Sequence, residues 1–213
     1  MGNRKCRVVV FIDGQNVQND FRRAFCDPDD SGWVGAFDPI GLARLLASRG
    51  PKFEEWSLTE TRIYVGSPIA SRERVAAVAH DRQVSRWKAF GVTVRPRPLQ
   101  YPENWPNERA RQKGVDVELA VDVVRMAIGA EYDVGIVAST DTDLVPSIEA
   151  VYRLRGTDPT PRICVVQYDG LQKRLRLPDT RGPSLYALPL TREDFDQVRD
   201  STDYREPISA QSN

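Results

Sequence analysis

The chain has 213 residues, enough for one ordinary domain with a full core, and its 30 Lys plus Arg balance 30 Asp plus Glu. Neutral net charge gives no general push toward nucleic acid, so any basic surface must be local. A single histidine, His80, excludes multi-histidine zinc sites and leaves little room for a Ser-His-Asp triad. The three cysteines, Cys6, Cys26 and Cys164, have no metal spacing and form no disulfide framework, which suits the reducing cytoplasm. No stretch is apolar enough to span a membrane, and the N-terminus lacks a signal-peptide pattern because Asp13 interrupts its short apolar run.

Val8 to Ile12 is a continuous apolar run that predicts a buried strand. It stops in Asp13-Gly14-Gln15-Asn16. Asp13 reads as a turn residue or a site residue, and Asn16 as a helix cap or a ligand-orienting group. Residues 20–37 read as irregular, with Pro28, Gly32, Gly35 and several acids. Asp38-Pro39 opens a helix with Ile40, Leu42, Leu45 and Leu46 as its apolar members and Gly50 as terminator. Thr61 to Val65 is a third strand candidate. Ser71 to Phe90 reads as a helix whose inner face is Val75, Val78, Ala79 and Trp87, with His80 as a surface or packing residue.

Val92 to Val94 predicts a short strand, extended by Arg95-Pro96-Arg97-Pro98. A Pro-rich loop with Tyr101 and Trp105 follows, then Arg109, Arg111 and Lys113. Interleaved aromatics and cations suit base stacking and phosphate holding, and equally suit a solvated loop. A helix then runs to Gly129, with Val117, Ala120, Val121, Val124 and Ile128 at helical spacing. Glu118, Asp122 and Arg125 share its polar stripe, so Asp122 reads as solvated or ion-paired. Asp116 falls on the apolar side of the first turn, where it either caps the helix or points into a crevice.

Val134 to Ala138 is the central strand, closed by Ser139 and Thr140 and followed by Asp141 and Asp143. Asp143 also fits an N-cap for a helix over Leu144 to Leu154. Arg162 to Gln167 predicts a further strand, Leu171 to Arg176 a basic exposed stretch, and Ser184 to Leu188 a last strand or a docked extension. Leu190 to Phe195 carries a Thr-capped helix start, and residues 199–213 read as a frayed end. Strands alternate with helices, which predicts a parallel α/β sheet. One domain over 1–190 with a C-terminal helix and tail over 191–213 is the expected organisation.

Asp13, Asp116, Asp141 and Asp143 therefore lie near element ends. A parallel sheet gathers strand C-terminal ends along one edge. Carboxylates crowded there repel one another, and a hard divalent cation with oxygen-only ligands, Mg2+ or Mn2+, relieves this. Such an ion activates water and stabilises the leaving oxygen of a phosphodiester. Lys113 could neutralise a phosphate oxygen, while Asn16, Ser139 and Thr140 could position ligands or water. There is no Walker A loop and no dinucleotide fingerprint. Asp141-Thr142-Asp143 has a superficial likeness to the haloacid dehalogenase motif, but that family keeps its paired Asp after the first strand.

Phe11 to Asn16, Lys113 to Val117 with Asp122, and Ser139 to Pro146 together resemble the three motifs of the NYN domain family, and its LabA-like branch best. That family belongs to the PIN-like ribonucleases. The resemblance covers roughly residues 7–167. It implies a three-layer, Rossmann-like α/β fold and a magnesium- or manganese-dependent ribonuclease site. By position it makes Asp13, Asp116, Asp141 and Asp143 the metal-binding acids, with Asn16 beside them and Asp122 at a recurrent family position. Thr140 stands where the family commonly has glycine. The expected activity is endonucleolytic hydrolysis of single-stranded or structured RNA, with a non-catalytic RNA-binding or regulatory module as the alternative. Arg95, Arg97, Arg109, Arg111 and Lys113 are the candidate RNA patch. Neutral charge leaves room for a protein partner or a second copy of the chain to deliver the RNA.

Overall fold

In the computed structural model, which describes residues 4–27, 29, 34–154, 161–177 and 185–206, strand β1 (Arg4–Asp13) lies at the centre of a six-stranded sheet. Its side chains alternate between two apolar layers. Val8, Val10 and Ile12 face one core, and Val9 and Phe11 face the other. Burial on both faces explains why β1 reads as an unbroken apolar run. The other strands are β2 (Glu54–Ser67), β3 (Val92–Pro98), β4 (Val134–Ala138), β5 (Arg162–Tyr168) and β6 (Tyr186–Leu190). All pairings are parallel, in the order β3-β2-β1-β4-β5-β6. Pro96 and Pro98 on β3 and Pro189 on β6 sit on edge strands, where a missing N–H is tolerated.

Helices α1 (Gly14–Phe25), α2 (Pro39–Ala47), α3 (Arg74–Ala89) and α6 (Arg192–Val198) cover the first core, and α4 (Val115–Ile128) and α5 (Val145–Leu154) the second. The result is the expected three-layer α/β architecture with a parallel central sheet. β1 and β4 are neighbours although their connections run to opposite sides of the sheet. This is the topological switch point, where open α/β sheets leave a crevice beyond the strand ends.

Several local expectations are corrected. The segment read as irregular from Asp20 is helical to Phe25. Val17, Phe21 and Phe25 repeat every four residues on the buried face of α1, and Asp13 caps it by accepting from Asn16 N–H at 3.1 Å. Residues 30–33 lie outside the described residues. Asp38 caps α2 as expected, but α2 ends at Ala47, before Gly50. β2 and β3 both run further than the apolar stretches that signal them. On α3, Val75 and Val78 are exposed, and Ala77, Ala79, Val84 and Trp87 make the inner face.

The largest reversal is α4. Its buried side is Leu119, Asp122, Val123, Met126 and Ala127, whereas Val117, Val121 and Ile128 are exposed. The helix has apolar residues on two faces, and packing onto the sheet selects the face that also delivers Asp122 to Arg62. In the basic stretch after β5, Lys173, Arg174 and Arg176 are exposed, but Leu175 is buried in the second core. The C-terminal segment to Glu206 is docked, not frayed. Phe195 lies 4.9 Å from Phe21, Arg199 bridges to Phe37, and Arg82 donates to the carbonyls of Tyr204 and Arg205. Residues 207–213 lie outside the described residues. No described helix is long and apolar enough to cross a membrane.

Candidate active site

The C-terminal end of β1 carries Asp13, and alternation turns its side chain to the same side as Phe11, toward α4. Gly14 must follow it without a side chain. A Cβ there would sit 2.6 Å from Val65 Cγ1 and 3.2 Å from the Tyr64 carbonyl, so α1 can start close over β2 only because residue 14 is glycine. Across the switch point, Ser139 Oγ donates to Asp13 Oδ2 at 3.3 Å and accepts from Asp141 N–H at 3.1 Å. Asp141 caps the 3-10 turn Thr142–Leu144, its Oδ1 accepting from Asp143 N–H at 3.0 Å. Asp141, not Asp143, is therefore the cap of this turn.

Asp13 is 7% exposed. Burial pushes its carboxyl up to about 6, opposed by the donors Asn16 N–H and Ser139 Oγ–H and reinforced by the charges of Asp141 and Asp116. Asp116 enters from the first turn of α4, whose N-cap is Gly114 at φ 73°, a left-handed conformation open to glycine. Asp13 thus feels the charges of both Asp141 and Asp116 in one acidic crevice. Asp143 is exposed and borders, with Asp116, an open groove of about 770 Å³ between α4 and α5.

Beneath the crevice lies a polar network that the sequence did not expose. Thr140 N–H donates to Asn16 Oδ1 at 2.8 Å, and the Thr140 hydroxyl donates to Asp20 Oδ2 at 2.5 Å. Asp20 is 1% exposed and pairs with Arg23 at 3.4 Å. The Tyr168 phenol is buried next to it, raised well above its ordinary value by burial and by the charges of Asp20 and Asp13. Asn16 and Asp20 are one helical turn apart, a signal legible only once α1 is placed. Thr140, where the resemblance leads one to expect glycine, uses its hydroxyl to hold Asp20.

Asp122 is not in the crevice network. It accepts from Arg62 at 2.9 Å and from Tyr64 Oη–H at 2.8 Å, and lies 3.5 Å from Arg95 and 3.4 Å from Arg125. Burial alone would raise its pKa, but the Tyr64 hydrogen bond and the Arg62 and Arg95 charges hold it below the usual carboxylate range. Its carboxylate ties α4 to β2 and β3. The candidate RNA patch divides similarly. Arg97 bonds Glu118 at 2.8 Å, Arg95 lies 3.3 Å from Glu118, and Arg111 bonds Glu108 at 2.5 Å. Arg109 and Lys113 are exposed without an ion pair among the described residues. Tyr101 and Trp105 meet edge to face at 4.9 Å, and Tyr101 Oη donates to Glu73.

Among the described residues, no three acidic, histidine or cysteine side chains converge on one point. The donor chemistry still fits a hard cation. Asp13 is a buried carboxylate facing two like charges, all the donors are oxygens, and magnesium keeps several waters while binding through one or two carboxylates. One or two of Asp13, Asp116 and Asp141 would hold such an ion directly.

The NYN domain model matches residues 7–157. The chain belongs to the NYN domain family. The match spans β1 through α5 and so contains the switch-point crevice of this NYN domain. No curated protein sequence matches the chain. Among solved structures, a protein of unknown function from Vibrio parahaemolyticus is similar at 14% identity, with 78% of this chain and 83% of that chain covered and a TM-score of 0.48. NYN domains are generally nucleases of the PIN-like superfamily.

Proposed function

We propose that this NYN domain, of the LabA-like branch, is a metal-dependent endoribonuclease that hydrolyses RNA phosphodiester bonds. The observation that carries the reading is Asp13, a buried carboxyl raised to about 6 at the β1–β4 switch point beside Asp116 and Asp141. Burying a charge beside like charges costs stability without a counterion, so its placement there is an expense that binding or chemistry explains. Bound Mg2+ or Mn2+ would supply Lewis acidity toward the phosphodiester and relieve the repulsion.

The chain's own groups then have distinct work. Ser139 orients Asp13 through one oxygen and fixes the Asp141 backbone through its hydroxyl. Asn16 holds the Thr140 N–H and so the turn that carries Asp141. Asp143 is exposed at the groove that Asp116 also lines, where it can meet a substrate phosphate. Lys113 and Arg109 are free to neutralise RNA phosphates. The catalytic unit is residues 1–190, braced by 191–206 through Phe195. Its natural setting is the cytoplasm, where Cys6, Cys26 and Cys164 remain thiols.

The test incubates purified protein with labelled single-stranded RNA and manganese or magnesium, alongside Asp13→Asn and an EDTA control. Cleavage by the wild type that disappears in both controls is the expected result. RNA bound but left intact by the wild type would overturn the nuclease reading in favour of a non-catalytic RNA-binding module.

A further inference from the structure

On the opposite side of β1 from the acids, a cavity of about 190 Å³ opens between α1 and α3. Its walls include Gly14 and Gln15, the two residues that follow Asp13, and Ile63 and Val65, which flank Tyr64, the register partner of Asp13. It therefore shares the C-terminal sheet edge with the acidic crevice. Trp87 and His80 line it as well. Trp87 is 7% exposed, and its Nε1–H is buried with no hydrogen-bond partner among the described residues. His80 Nε2 is in the same condition, and burial keeps this histidine below its ordinary pKa, hence neutral. A buried N–H without a partner carries a desolvation cost that a bound acceptor removes.

The remaining chemistry narrows the ligand. The other polar residues that line it include Gln15, Gln83 and Gln112. A glutamine amide carries both donor and acceptor. No lining residue carries a full charge, so the cavity does not suit a phosphate or a metal ion. Its volume falls below the roughly 300–1,000 Å³ of pockets for drug-sized ligands. A neutral, flat, polar-edged ring fits these constraints.

We infer that the cavity is a base subsite, which takes one unpaired nucleobase of the RNA whose phosphate lies at the acids. This rests on the nuclease reading for its substrate class. A nucleotide laid across the sheet edge presents its phosphate to one side and its base to the other. Here the acids occupy the α4 side and the amide-lined cavity the α1 side. Readout of splayed-out bases by hydrogen bonds on their edges and by aromatic walls is the common mode for single-stranded RNA.

The experiment follows the tryptophan indole 1H–15N resonances of the full chain, with Trp87 assigned by its loss in Trp87→Phe. Adenosine, cytidine, guanosine and uridine are titrated separately, so that no phosphate is present. The expected result is a saturable shift of the Trp87 indole signal with at least one nucleoside. Gln83→Ala, a half-buried position, should weaken that nucleoside about 2- to 10-fold, the worth of one hydrogen bond. No movement of the Trp87 signal with any of the four, or a shift indifferent to Gln83→Ala, overturns the subsite. Nucleoside binding requires no catalysis. RNA cleavage without a Trp87 shift would remove the subsite and leave the nuclease, whereas a shift without cleavage would remove the nuclease and leave the subsite.

Discussion

Asp13 and Ser139, 126 residues apart in sequence, meet across the β1–β4 junction with Ser139 Oγ donating to Asp13 Oδ2 at 3.3 Å. The same hydroxyl accepts from Asp141 N–H. Ser139→Ala removes a donor that favours the charged form of Asp13. The Asp13 carboxyl should rise further above about 6, and the acidic limb of the cleavage pH profile should move to higher pH. A pH–rate series on wild type and Ser139→Ala measures it. An unmoved limb would separate this hydrogen bond from catalysis.

Burial of Asp13 also sets a pH dependence of stability. Its folded pKa, about 6, exceeds the ordinary 3.8. Below 3.8 both states hold the proton and nothing is lost. As pH rises from 3.8 to about 6 the unfolded chain ionises while the folded one keeps its proton, so stability falls, by roughly 3 kcal/mol at most, and then levels off. Asp13→Asn lacks this loss. In metal-free buffer its urea stability should gain on the wild type between pH 4 and 6 and keep the gain at pH 7. Equal pH curves for the two proteins would contradict the buried, raised carboxyl.

Asp122 holds a different kind of charge. Its partner Arg62 is buried with it. Asp122→Ala leaves the guanidinium and the Tyr64 hydroxyl without their acceptor and should cost about 3–5 kcal/mol, read as a lowered urea midpoint. If Asp122 serves structure, Asp122→Asn with Arg62→Gln should regain stability and keep cleavage. Lost cleavage in a stable double variant would return Asp122 to the catalytic set.

Arg109 and Lys113 are exposed, whereas Arg97 is bonded to Glu118. Fluorescence anisotropy with single-stranded RNA across a salt series should show Lys113→Ala and Arg109→Ala each lowering the log–log salt slope by about 0.7, the value for one phosphate contact on a single strand. Arg97→Ala should leave it nearly unchanged. A larger loss for Arg97 would mean that its ion pair opens when RNA binds.

How much was legible in the sequence varies by element. β1 and β4 were plain because both faces of a central parallel strand are buried and their runs are unbroken. The N-caps Asp38 and Thr191 were plain because capping is local. α1 was hidden, since Val17, Phe21 and Phe25 are spaced among polar residues and a strand-ending Asp13 doubles as its cap. α4 reads inside out from its sequence, because apolar residues on two faces leave periodicity with no preference between them.

The sequence by itself determined the alternation of strands and helices, the placing of acids after β1 and β4, and the resemblance to the NYN motifs. These are properties of short segments, set by local periodicity, capping and turn chemistry. Only the tertiary structure decided which side of α4 is buried, that Asp122 answers Arg62, that Thr140 reaches Asp20, and that four glutamines surround one cavity beside Trp87. Those depend on contacts between residues far apart in the chain, where the free energy of burial and of satisfying buried polar groups is settled by the partner each side chain meets.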